Sequence, residues 1–76
     1  MSPKLPVISG EELIRVLRKF GYEVVRQKGS HVRLRNELEP RRVPVTVPLH
    51  KEIAPGTLKG VLSDARISVE ELLAAL

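Results

Sequence analysis

Residues 22–35, with the sequence YEVVRQKGSHVRLR, decide how this chain folds. Two adjacent valines in the first half of this stretch favour a strand over Tyr22–Lys28, because β-branched side chains pack well on a pleated surface. Gly29-Ser30 is typical of a tight turn, and the strand pattern resumes at His31. We therefore predict two strands joined by a short turn.

The second of these strands, predicted over His31–Arg35, alternates apolar and polar residues. Val32 and Leu34 point to one side, because successive side chains of a strand face opposite ways. The other side carries His31, Arg33 and Arg35. One face of the predicted sheet is thus apolar, and the other combines an imidazole with arginines.

A helix is predicted ahead of these strands, from Gly10 to Phe20. Ser9 and Glu12 have the spacing of a capping box, in which each side chain accepts a hydrogen bond from the backbone N–H of the other residue. Apolar residues then recur at the i, i+3, i+4, i+7 spacing of a helix, and Gly21 is a natural stop. The preceding segment, Met1–Ile8, has two prolines and no period, which predicts a loose arm.

A third strand is predicted over Arg42–Leu49, after a polar loop at residues 36–40. Val43, Val45 and Val47 would share one face of it. Pro44 has no backbone N–H to donate, so this strand should lie at an edge of the sheet.

Two more helices are predicted in the last third of the chain. One follows residues 53–57, carries an apolar stripe and breaks at Arg66-Ile67. Ser68 and Glu71 then form a second capping box, which opens a short terminal helix over residues 68–76.

These elements predict one domain over residues 1–76, of the α+β class. The order is α-β-β-β-α with an extra C-terminal helix, and the fold resembles that of double-stranded-RNA-binding domains. A three-stranded antiparallel sheet of this kind needs helices on its valine-rich face. Its uncovered face would then carry His31, Arg33, Arg35, Thr46 and His50.

The charge distribution favours a nucleic-acid partner over mere solubility. The net charge is +4 and the isoelectric point about 10.0. Clustered Lys and Arg gain affinity by releasing counterions from phosphates. Nine of the 13 basic residues lie between residues 15 and 42: Arg15, Arg18, Lys19, Arg26, Lys28, Arg33, Arg35, Arg41 and Arg42.

Composition also excludes several kinds of site. The chain has no cysteine, which excludes disulfides, thiolate zinc sites and cysteine nucleophiles. Two histidines without a carboxylate pattern predict no metal centre and no cofactor. No apolar run approaches the ~20 residues that span a bilayer. We expect a soluble cytoplasmic protein with no membrane contact.

Four short motifs give the chain a family resemblance between about Ser9 and Ser68. They are LRKFGY at residues 17–22, VRQKGSH at 25–31, VTVP at 45–48 followed by His50, and PGTLKGVL at 55–62. In this order and spacing they resemble the HicA family of toxins from HicAB toxin-antitoxin systems. The resemblance implies a metal-independent endoribonuclease that cleaves mRNA and is neutralised by a HicB-like antitoxin. No direct contact with DNA is expected.

The resemblance implies that His31, which follows the Gly-Ser pair, is the catalytic residue. Histidine suits acid-base work because its unperturbed pKa of ~6.5 lies near neutrality. The alternative for His31 is a solvated strand histidine. His50 is a candidate second acid or base, with a loop histidine of no role as an equal alternative. The sequence does not decide whether His31 is acid or base.

The remaining candidates would bind phosphate: Lys28, Gly29, Ser30, Arg33 and Arg35. A solvated charged face is the alternative for the cations, plain turn geometry for Gly29 and a strand end for Ser30. Arg15, Arg18 and Lys19 fit a solvated helix face slightly better than RNA contacts. A noncatalytic RNA-binding module is the alternative function, and a pure protein-interaction domain is a weaker third.

Overall fold

The structure is a computed structural model that describes residues 4–76. Its elements follow in the order α1 (Gly10–Lys19), β1 (Tyr22–Lys28), β2 (His31–Asn36), β3 (Val45–Pro48), α2 (Pro55–Ala65) and α3 (Val69–Ala75). The strands form one antiparallel sheet in the order β1-β2-β3. This arrangement confirms the predicted α+β class and the α-β-β-β-α order with its extra C-terminal helix.

A single hydrophobic cluster joins the helices to one face of the sheet. The sheet contributes residues such as Leu34 and Val47, both fully buried, and α1 contributes Leu13 and Leu17. Tyr22, at the start of β1, is also fully buried, and its hydroxyl donates to the Val43 carbonyl at 2.7 Å. Burial raises the pKa of Tyr22, so its hydroxyl stays protonated and keeps this bond.

Both predicted capping boxes are present. Glu12 N–H donates to the Ser9 hydroxyl at 3.1 Å, and Ser9 N–H donates to the Glu12 carboxylate at 3.0 Å. Ser68 and Glu71 repeat the exchange at 3.0 and 2.9 Å. These reciprocal bonds satisfy backbone donors that a helix start leaves unpaired, which is why both starts were visible in the sequence.

The third strand is shorter than predicted. It runs from Val45 to Pro48, and the expectation that Arg42, Val43, Pro44 and Leu49 belong to it is wrong. Val43 N–H donates to the Asp64 carbonyl at 3.2 Å, while its carbonyl accepts from Tyr22. Both backbone groups are thus engaged away from β2, and the Val43 side chain is 44% exposed instead of lying in the core. β3 does lie at an edge of the sheet, as predicted.

The segment predicted as a loose arm divides into two parts. Residues 1–3 lie outside the described residues. Residues 4–8 form no helix or strand, but Leu5 packs against the core and Ile8 is buried. The Ile8 carbonyl also accepts from Ile53 N–H at 2.9 Å. The arm is therefore anchored where it enters α1.

Candidate functional site

The β1–β2 turn places His31 at one end of the open sheet face. Gly29 has a φ of +59° and leads a two-residue turn, as in a type II′ hairpin, where glycine avoids the strain of a side chain. Its carbonyl accepts from the Gln27 side chain at 3.1 Å. His31 follows as the first residue of β2, directly opposite Lys28.

An irregularity in β1 decides which side chains join His31. Before it, Tyr22 and Val24 pair with Asn36 and Leu34, whose side chains are buried toward the helices. The register shifts between Val24 and Arg26, so Val25 is an extra residue, a β-bulge.

Beyond the bulge, each side chain of β1 points to the face opposite to the one that regular alternation from Tyr22 would give it. Arg26 pairs with Arg33, and Lys28 pairs with His31. Uninterrupted alternation from buried Tyr22 would have turned Arg26 and Lys28 toward the helices. The bulge turns both cations to the open face, beside the basic residues of β2.

The side chains around the imidazole form a shallow depression of about 210 Å³, here called the His31 groove. A hydrogen bond of 3.0 Å from the Arg33 guanidinium to the Thr46 hydroxyl fixes one wall of it. The groove is lined by Arg26, Lys28, His31, Arg33 and Thr46. All of its ionisable groups are basic, so it suits an anion.

A second depression, of about 310 Å³, lies next to the first and is here called the Arg35 groove. It shares two arginines with the His31 groove and adds a third together with two apolar residues. Its lining is Val25, Arg26, Arg33, Arg35 and Pro44. Charge and apolar surface therefore lie side by side in it.

A carboxylate stands at the far end of this basic face. Glu23 lies opposite Arg35. On this face of the sheet, this is the next pair after Arg26 and Arg33 in the direction away from the turn. Its carboxylate lies 3.8 Å from the Arg18 guanidinium of α1, with both side chains mostly exposed. The basic surface thus runs from His31 at the turn to Glu23.

The structure brings most of the predicted site residues together. Lys28, His31 and Arg33 line the His31 groove, and Arg35 lines the adjoining one. Gly29 and Ser30 form the turn beside them, with the Ser30 carbonyl accepting from Leu49 N–H at 2.7 Å.

His50 is the predicted residue that does not join the grooves. It follows the end of β3, and its carbonyl accepts from Gly10 N–H at 2.9 Å. Gly10 has no room for a Cβ against the Pro48 carbonyl, so the start of α1 lies close against this segment. The side chain of His50 is exposed but lines neither groove.

Arg26 is the charged groove residue that sequence reasoning did not assign, and the apolar residues Val25 and Pro44 were not assigned either. Strict alternation groups Arg26 with Tyr22 and Val24. The sequence did contain a signal. In a regular strand residues 22, 24, 26 and 28 share one face, yet the first two are apolar and the last two are basic. A bulge is one way to accommodate such a switch, but the switch does not locate it.

Within residues 4–76, no three His, Cys, Asp or Glu side chains are grouped so that they could hold a metal ion. None of the helices in that range combines the length and apolar character needed to cross a membrane.

Comparison with known proteins gives one family match. The model of a family described as the HicA toxin of bacterial toxin-antitoxin matches residues 10–67. The matched range contains α1, the whole sheet and α2, and hence both grooves. No curated protein matches the chain.

Proposed function

The chain belongs to the HicA family of toxins of bacterial toxin-antitoxin systems, and on that premise we propose that it is a metal-independent endoribonuclease that cleaves mRNA. The observation that carries the proposal is an exposed imidazole in a groove whose other ionisable side chains are all cations. An RNA phosphate attracted by Arg26, Lys28 and Arg33 would come to lie next to His31.

Cleavage without a metal requires two proton transfers at the phosphate. A base takes the proton of the attacking oxygen as its bond to phosphorus forms, and an acid gives a proton to the leaving oxygen as its bond breaks. We assign one transfer to His31. His50 stays the candidate for the other. Lys28 and Arg33 stabilise the extra negative charge on the phosphate oxygens in the transition state.

The shape of the site favours a polymer substrate. Both grooves are shallow and lie on an open sheet face, whereas small-molecule pockets enclose most of their ligand. Among the described residues, no Phe, Tyr or Trp side chain lines either groove, so His31 is the one aromatic ring there, whereas sequence-specific readers of single strands stack bases on several rings. We therefore expect RNA selection to depend on backbone charge more than on base sequence.

The family also implies a partner. A toxin of a toxin-antitoxin system is paired with an antitoxin, and we propose that the antitoxin here is HicB-like and that both act in the cytoplasm, where mRNA is found. A small reading frame resembling an acidic antitoxin directly beside this gene would support the pairing.

The experiment that tests this function compares wild type with His31→Ala. RNA cleavage is measured at neutral pH in the presence of a chelator, and RNA binding is measured in parallel. We expect the variant to lose cleavage by at least about 100-fold, the lower range for acid-base catalysis, while binding is retained. His50→Gln, assayed alongside, loses activity similarly if His50 makes the second transfer.

Two results would contradict the proposal. Cleavage that persists in His31→Ala would remove the assigned role of the imidazole. A pure wild-type protein that binds RNA but never cleaves it would leave the noncatalytic RNA-binding module as the function.

A further inference from the structure

The His31 groove and the Arg35 groove form one continuous basic surface, because they share Arg26 and Arg33. We call this surface the phosphate track and define it by Lys28, His31, Arg26, Arg33 and Arg35. It follows the direction of β2 away from the turn. A ligand in the His31 groove can therefore extend into the Arg35 groove without leaving the basic surface.

The spacing along the track suits a repeating anion. His31, Arg33 and Arg35 are alternate residues of β2, so their positions are separated by about 6.8 Å each along the strand. This is comparable to the separation of successive phosphates in an extended nucleic-acid strand. Three successive phosphates would thus meet three successive basic side chains.

The pairing across the strands is unfavourable in the free protein. Arg26 lies directly opposite Arg33, and both guanidinium groups are positively charged. Like charges facing each other across antiparallel strands destabilise a sheet. Among the described residues, neither Arg26 nor Arg33 has an ion pair with a carboxylate. A bound polyanion would relieve this repulsion, which makes the arrangement more suited to binding than to stability.

We propose that the Arg35 groove binds the nucleotide that follows the two phosphates held at His31 and Arg33 in the His31 groove. Arg26 and Arg35 bind its phosphate, and Val25 and Pro44 contact its sugar and base. Val25 is 51% exposed on this face as the extra residue of the bulge, so apolar surface is available beside the cations. The Glu23 carboxylate ends the track beyond Arg35.

This site deepens the proposed function, on which the identity of the ligand as RNA rests, but it is tested by binding alone. The chain carrying His31→Ala is used so that the proposed cleavage does not consume the RNA. Lys28, Arg26, Arg33 and Arg35 of the phosphate track remain in it. Fluorescently labelled oligouridylates of two to six nucleotides are the probes, and anisotropy measures affinity. Affinity should rise with oligonucleotide length up to about four nucleotides and then level off. A tetranucleotide has three internal phosphates, the number that the track accommodates.

Arg35→Gln is the decisive variant, because Arg35 lines only the second groove. We expect it to lower affinity for the tetranucleotide roughly tenfold, as the loss of a charge-assisted contact would, with little change for the dinucleotide. The slope of log affinity against log salt should fall by about 0.7, the value for one single-strand phosphate contact. Arg26→Gln should weaken binding at both lengths.

Arg15→Gln is the matched control, an equally exposed arginine on α1 that lines neither groove. Equal effects of Arg35→Gln and Arg15→Gln at every length would overturn the proposal. Melting temperatures equal to that of the parent exclude misfolding as the cause. If wild type never cleaves RNA but the length step still depends on Arg35, the binding site stands and the proposed cleavage fails. If wild type cleaves RNA but the length step does not depend on Arg35, the proposed cleavage stands and the binding site fails.

Val25→Ser tests the apolar part of the site without changing charge. Binding of the tetranucleotide should weaken roughly fourfold, the equivalent of one buried methylene group. Competition by inorganic tripolyphosphate, which has charge but no sugar or base, should be unchanged. Equal loss for both probes would show that Val25 does not contact a nucleotide.

Discussion

Asn36 holds three parts of the chain together through one side chain. Its amide nitrogen donates to the Phe20 carbonyl at 2.8 Å, beyond the end of α1. Its oxygen accepts from the backbone N–H groups of Leu38 and Glu39, both at 2.9 Å. The residue is only 6% exposed, so water does not readily replace these partners.

Replacing Asn36 by alanine should therefore destabilise the protein. Three backbone groups would lose their partner in a partly buried position, and we expect a loss of about 1–3 kcal/mol in the free energy of unfolding. Urea unfolding of Asn36→Ala measures it, with Glu37→Ala as an exposed neighbouring control. A change below about 0.5 kcal/mol, the usual size for a surface substitution, would contradict the assigned role.

The role of Asn36 was not predicted from the sequence, which placed it in a polar loop. It is the last residue of β2, and its side chain bonds residues up to 16 positions away. The two aromatic residues near Asn36 differ in burial, although both contact the core. Tyr22 fills the core, while Phe20 is half-buried with the Arg42 guanidinium 5.0 Å from its ring centre.

At the scale of the elements, the start of α1 depends on an ionised carboxylate. A hydrogen bond from the backbone N–H of Ser9 holds the pKa of the Glu12 carboxyl below its ordinary value of 4.5. A hydrogen bond with the Ser9 hydroxyl lowers this pKa further, by a smaller amount. A carboxyl whose pKa is lowered on folding adds stability above its ordinary pKa. That stability is lost as the pH falls through the lowered pKa of the folded state.

Glu12→Gln should therefore be less stable than wild type at neutral pH and approach it in acid. Glutamine can still accept the Ser9 hydrogen bond, but it carries no charge at the helix start. Thermal unfolding across the acid range measures the difference in melting temperature. Glu11→Gln, which lacks the cap hydrogen bonds, is the control. A difference between wild type and Glu12→Gln that does not change with pH would refute the argument.

The bulge in β1 is the element-scale feature on which the candidate site depends. It places Arg26 and Lys28 on the open face, whereas the pattern of β2 alone supplies only His31, Arg33 and Arg35. All residues of β1 after Tyr22 are exposed, so the two cations beyond the bulge are accessible to a ligand.

At the scale of the whole molecule, repulsion between cations should show in the salt dependence of stability. The net charge is +4, and the described residues contain only two ion pairs, both between largely exposed side chains. Exposed pairs contribute little. The like-charged pair of Arg26 and Arg33 across the strands costs up to about 1 kcal/mol, and added salt screens it.

We therefore expect the melting temperature to rise when sodium chloride is added to a low-salt buffer. For a domain of this size, about 0.5 kcal/mol corresponds to roughly 2–4 °C. Arg26→Gln removes one of the facing charges and should show a smaller rise. A melting temperature that falls with salt would indicate that attraction, not repulsion, dominates the surface.

The sequence by itself determined the order of the elements, both capping boxes, the tight turn and the facing of β2. Each of these depends on residues within a few positions of one another, where local hydrogen bonds and side-chain period decide the outcome. Placement of His31 on the uncovered face with Arg33 and Arg35 followed from that local alternation.

Only the tertiary structure decided the bulge at Val25, the start of β3 at Val45, the buried role of Asn36 and the separation of His50 from the grooves. These features depend on which distant backbone groups pair: β1 with β2, Val43 with Asp64, and Gly10 with His50. Pairing between segments far apart in the chain is set by the packing of the core and not by local spacing. The basic face formed by β2 was therefore visible in the sequence, while the facing of Arg26 on β1 was not.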